Sequence, residues 1–91
     1  MEEFHKTVVV QNNLGLHARP AGKLSKEAMK FQADITLSYK DMEIDAKSIL
    51  DILTLGVPKG DTVLLKAKGK DAREAVEALA HLFENRFGEE R

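Results

Sequence analysis

The chain has 91 residues, 43% hydrophobic and 32% charged, which suits one small domain spanning 1–91 with a modest core. Lys and Arg number 14 and Asp and Glu 15, for a formal charge of -1, which argues against a nucleic-acid partner because such a partner selects a basic face. The chain contains no Cys, which excludes disulfides, thiolate catalysis and cysteine zinc sites.

No apolar run nears the roughly 20 residues of a membrane span, and the N-terminal MEEFHK lacks a signal core. The expected location is therefore the cytoplasm, with no membrane insertion.

Lys6 to Gln11 is rich in β-branched residues and predicts a strand. A polar turn follows, ending at Gly15. From Ala18 to Phe31 the period becomes helical, with Ala21, Leu24, Ala28 and Phe31 on one face. Pro20 falls in the first turn, where a missing N–H does no harm. Asp34 to Tyr39 alternates as a half-buried strand does, and Met42 to Ile44 predicts its short returning partner. Lys47 to Leu55 predicts a short helix stopped by Gly56. Val57 to Gly60 is a loop, and Asp61 to Lys68 another strand with Val63, Leu65 and Ala67 facing one way. Asp71 begins the last helix, with Glu74 at capping-box spacing and Gly88 at its end. Met29 and Met42 are expected in the core. Asp41, Glu43 and Asp45 are expected on a solvated strand face rather than on a metal.

The order β-α-β-β-α-β-α predicts an α+β fold: a two-layer open-faced sandwich with helices on one face of a four-stranded, mainly antiparallel sheet. Thr36, Ser38, Lys66 and Lys68 suit its bare face.

Gly15-Leu16-His17-Ala18-Arg19-Pro20 puts a His at the start of a helix and an Arg two residues later. A helix start offers unpaired backbone N–H groups, here those of Ala18 and Arg19, and a partial positive charge that attracts anions. The same field disfavours imidazolium, leaving a neutral nucleophile. Arg19 can present planar donors to a phosphate. The spacing alone fits both covalent phosphorylation of His17 and simple anion binding.

The segment GLHARPA, residues 15–21, resembles the active-site signature of the HPr family. Those proteins are the histidine-containing phosphocarriers of the bacterial phosphoenolpyruvate-dependent sugar phosphotransferase system, and the order of elements is similar along essentially the whole chain. The resemblance implies that His17 is phosphorylated on a ring nitrogen by enzyme I, that Arg19 steadies the phosphoryl group, and that enzyme IIA accepts it. It implies a carrier that other enzymes act on, not an enzyme, and one that needs no metal or organic cofactor.

AKSILDILTLG, residues 46–56, resembles the family's regulatory-serine segment and implies that an HPr kinase/phosphorylase acts on Ser48. Independently, Ser48 has the place of an N-cap, with Asp51 three residues on. Leu16, Pro20, Phe31, Leu50 and Leu53 are expected to dock partners, with Arg19 and Lys26 steering acidic ones. A carrier that shows one face to donor and acceptor in turn is expected to be a monomer.

Three features depart from the family pattern. Leu14 stands where some members have a polar residue, Gly22 interrupts the first helix, and Asp51 adds an acid beside Ser48. The ending Glu84-Asn85-Arg86-Phe87-Gly88 resembles the nitrogen-related branch, whose members regulate metabolism by phosphorylation-dependent binding.

Overall fold

Period-two alternation becomes a one-sided sheet. A computed structural model describes residues 2–90. It comprises β1 (Glu3–Val9), α1 (Ala18–Ala28), β2 (Asp34–Tyr39), β3 (Met42–Asp45), α2 (Ile49–Thr54), β4 (Thr62–Lys68) and α3 (Ala72–Glu84), followed by a 3₁₀ turn at Arg86–Gly88. The strands lie in the order β1-β4-β2-β3. Every neighbouring pair is antiparallel, with Val8 opposite Val63 and Leu37 opposite both Leu65 and Ile44. Ile35, Leu37, Val63, Leu65 and Ala67 are buried beneath the helices. Ala21, Leu24 and Ala28 of α1 and Ala75, Val76, Leu79 and Phe83 of α3 close over them. The fold is the expected α+β two-layer sandwich.

Several boundaries move for identifiable reasons. β1 begins at Glu3 rather than Lys6, because β4 offers partners as far as Lys68, opposite Glu3. α1 ends at Ala28, where Lys30 and Phe31 donate to Glu27 and Ala28 in tighter three-residue bonds. Met29 and Met42 are not core filler; they are 61% and 42% exposed. At Gly22 the close neighbour is a side chain rather than a backbone: an added Cβ would lie 3.5 Å from Ile49 Cδ1.

The expected Asp71–Glu74 capping box does not form. The Asp71 carboxylate makes no cap bond and instead accepts the amides of Gln32 (2.9 Å) and Ala33 (2.8 Å), tying the α1–β2 connection to the start of α3. The Gln32 amide, aided by that of Ala33, holds its carboxyl below the ordinary value despite the opposing effect of burial. At the other end α3 stops at Glu84, and Gly88, with φ +78°, closes the 3₁₀ turn instead.

Candidate functional site

The loop between β1 and α1 is fixed from below. Gly15 donates to Asn12 O and Leu16 to Val57 O, both at 2.9 Å. Gly15 has φ +70°, and an added Cβ would lie 2.3 Å from that same Val57 oxygen, so the turn needs glycine both for its backbone and for its space. Leu16 packs inward, 4% exposed.

His17 therefore leaves a rigid support. Its extended backbone makes it the N-cap of α1, its carbonyl accepts the Ala21 amide, and its side chain caps nothing. Among the described residues the amides of Ala18 and Arg19 have no acceptor, and Pro20 has no N–H to offer. The His17 side chain is 30% exposed and that of Arg19 72%.

A residue from the far end of the chain completes the site. Phe87 is buried edge-on against Phe83, with ring centroids 4.8 Å apart. Arg86 and Phe87 both take φ 53°, an unfavourable left-handed conformation for such residues, and the chain turns back toward α1. Lys23 Nζ donates to Phe87 O at 2.6 Å. Asn12, fully buried, donates through Nδ2 to Arg86 O (2.8 Å) and to Glu89 Oε1 (2.5 Å).

The Glu89 carboxylate so held lies 3.3 Å from His17 Nε2 through Oε1 and 3.9 Å from Arg19 Nη1 through Oε2. Burial alone would push this carboxyl up. The Asn12 amide, the His17 ring and the Arg19 guanidinium outweigh it and hold the group below the ordinary value. His17, Arg19, Lys23, Leu14 and Glu89 line one open cleft, and Leu14, His17, Leu53 and Pro58 line the groove beside it.

Ser48 N-caps α2 as expected, its Oγ accepting the Asp51 amide at 3.2 Å. The second half of a capping box is absent, since the Ser48 amide donates to Asp45 O. Around it Leu50 is 73% exposed and Leu53 and Ile49 are each 39% exposed. Lys26 is exposed and Phe31 half-buried.

Leu16 and Pro20 are corrections. Both lie in the interior, Leu16 turned under the loop by its bond to Val57 and Pro20 packed into the first turn of α1, so neither offers a docking surface. The exposed leucine beside His17 is Leu14, at 77%. Asn12 and Glu89 were not anticipated, and no local pattern marks them.

No described helix is long and apolar enough to cross a membrane. Among the described residues no three His, Asp or Glu side chains gather as metal ligands.

Comparison with known proteins gives one answer at the level of both sequence and fold. The family described as "PTS HPr component phosphorylation site" matches residues 4–85. Phosphocarrier protein HPr of Xylella fastidiosa (strain 9a5c) is 43% identical over 83 residues, covering 91% of this chain and 93% of that protein. The crystal structure of HPr-C-His from Thermoanaerobacter tengcongensis superposes with a TM-score of 0.90 at 43% identity, covering 100% of both chains. The crystal structure of an HPr dimer from the same organism gives a TM-score of 0.77 at 44% identity, covering 88% of this chain and 92% of that one. With a family match across all seven strands and helices, through the His17 loop and almost to the Arg86–Gly88 turn, this chain belongs to the HPr family of phosphocarriers.

Proposed function

We propose that His17 takes a phosphoryl group from phosphorylated enzyme I and passes it to an enzyme IIA. The observation that carries this reading is the anion already seated at the site. The Glu89 carboxylate lies against the His17 ring, 3.3 Å from Nε2, with the Arg19 guanidinium 3.9 Å away. A phosphoryl group asks for the same partners. In the accepting step a ring-nitrogen lone pair forms the bond to phosphorus, and the donor's bond to phosphorus breaks with its electron pair staying on the donor. The passing step is the reverse, with the acceptor as nucleophile. Arg19 and the Ala18 and Arg19 amides neutralise the phosphoryl oxygens.

The chain acts as a substrate of its partners, without a cofactor, in the cytoplasm and as a monomer. Leu14, Leu50 and Leu53 form the apolar part of the docking face, with Arg19 and Lys26 drawing acidic partners toward it. A kinase acting on Ser48 would add a charge of about -2 at the edge of that face and close to Asp51, changing partner affinity by charge while α2 stays folded.

The test is intact-mass spectrometry after incubation with active enzyme I and phosphoenolpyruvate. The wild type is expected to gain one acid-labile phosphoryl group and His17→Ala none. An unlabelled wild type would overturn the reading.

A further inference from the structure

Tyr39 ends the inward row of β2, after Ile35 and Leu37, and is 9% exposed. Its hydroxyl donates to Asp61 Oδ2 across 22 positions of sequence. That bond raises the Tyr39 hydroxyl above its ordinary value, so the group stays a donor.

Asp61 belongs to the segment beneath the His17 loop. Pro58 to Asp61 form a β-turn, closed by the Asp61 amide on Pro58 O (3.3 Å), with Gly60 at φ +94°. Val57, just before the turn, presents the oxygen that accepts the Leu16 amide. Gly60 donates to Val10 O (2.8 Å), Asp61 O accepts the Val10 amide (2.9 Å), and Lys59 Nζ donates to Asn13 Oδ1 (2.7 Å). These bonds join one loop to the other from Val10 to Leu16. Tyr39–Asp61 runs from the joined loops to β2, an interior strand of the sheet.

Little slack separates this bond from His17. The turn between Val57 and Asp61 is closed by its own hydrogen bond, and Gly15 lies so near Val57 O that an added Cβ would stand 2.3 Å from it. A shift of Val57 therefore moves Gly15 and Leu16, and His17 is the next residue.

We infer that Tyr39 and Asp61 are a positioning pair for the phosphoryl-accepting loop: their hydrogen bond fixes the Val57–Asp61 segment to β2 and so holds His17 in the geometry in which it reacts. This rests on the reading of His17 as phosphoryl acceptor. Neither residue touches the phosphoryl group. The pair acts through Val57 and Leu16, by keeping the open forms of the loop rare. A loop with a loose support presents the ring correctly for a smaller part of the time, which slows the chemical step.

Three variants of the intact chain test this. Tyr39→Phe keeps the ring in the core and removes only the hydroxyl, Asp61→Ala removes the acceptor, and Asp61→Asn keeps an acceptor oxygen. Amide hydrogen exchange at Leu16 reports loop opening without any phosphoryl donor. Labelling by phosphorylated enzyme I, resolved into kcat and KM, reports the chemistry. Losing a hydrogen bond to a charged group is expected to speed Leu16 exchange by about tenfold in Tyr39→Phe and in Asp61→Ala. In both, kcat is expected to fall by about threefold to tenfold, with KM within about twofold of the wild type. Combining the two substitutions is expected to be no worse than either alone, and Asp61→Asn is expected to restore most of both readouts. A bond that only stabilised the fold would speed exchange of the sheet amides and leave Leu16 exchange and kcat unmoved. That result, losses that add in the double variant, or an Asp61→Asn as impaired as Asp61→Ala overturns the inference. A wild type that is not labelled at all overturns the acceptor reading instead, and Leu16 exchange still tests the pair.

Discussion

Replacing Gly15 by Ala adds a single methyl group where the His17 loop rests on the Val57 segment. Two costs can be worked out. At φ +70° an L residue is strained by roughly 1–2 kcal/mol. The new Cβ would stand 2.3 Å from Val57 O and 3.1 Å from Pro58 Cα, both backbone atoms, so the segment must shift. That oxygen is the acceptor for the Leu16 amide, and losing the bond removes about another 1 kcal/mol. The sum is about 2–3 kcal/mol, against about 5–14 kcal/mol for a domain of this size. Melting is expected to fall by about 10–20 °C. Urea unfolding followed by circular dichroism measures the loss, with an unchanged m-value expected. His17 lies two residues from the substitution, so the folded variant is also expected to accept phosphoryl more slowly. A loss below about 1 kcal/mol would refute the packing argument, because the strain term alone reaches that figure.

Asp71 gives the chain an acid-sensitive clamp. Its folded value is depressed below the ordinary 3.8, so its contribution is present above that pH and is lost as pH falls through the folded value. Asp71→Asn is expected to flatten this part of the pH dependence of urea midpoints, and an unchanged acid slope would count against the clamp. Ser48→Ala is expected to lose about 1 kcal/mol of unfolding free energy and Ser48→Asp to recover it, since both Ser and Asp cap well; equal stability of all three chains would show that the cap bond contributes nothing. Leu50→Glu, at an exposed position, is expected to change stability by no more than about 0.5 kcal/mol. It should raise KM toward enzyme I, and an unaltered KM would remove Leu50 from the docking face.

What could be read from the sequence was local. GLHARPA carries the turn glycine, the N-cap histidine and its arginine within seven consecutive residues, and the Ser48 cap needs only four. Strand faces follow from alternation, so the buried set Ile35, Leu37, Val63 and Leu65 was legible. Leu14 and Leu16 were not distinguishable, because an irregular loop has no period; the bond from Leu16 to Val57 decides which one turns inward. At Asp71 capping and tertiary bonding compete for one carboxylate, and sequence spacing shows only the first. The connection after α1 presents two amides in a row, at Gln32 and Ala33, and these win. Glu89 was invisible for a different reason. It reaches His17 across 72 positions through a turn in which Arg86 and Phe87 adopt a conformation their propensities disfavour.

That strained turn has a physical source of support. Left-handed conformations at two consecutive non-glycine residues persist only where the surroundings over-determine them. Here they are held by Phe87 in the core, by Lys23 on its carbonyl and by Asn12 on the carbonyl before it. The burial that stabilises the end of the chain thus also delivers a carboxylate to the ring. A phosphocarrier needs this combination of a firm base and light contacts. Its nucleophile must be held in place, but the group it carries must leave for another protein. His17 stands on Gly15 and Leu16, which are buried, while the contacts available to a phosphoryl group are two amides and an exposed arginine in an open cleft. An enclosed pocket with several fixed cations would bind the anion more tightly and slow its departure. On the proposed reading, orientation from buried residues, with charge supplied by an exposed arginine, would let the same site both accept and release.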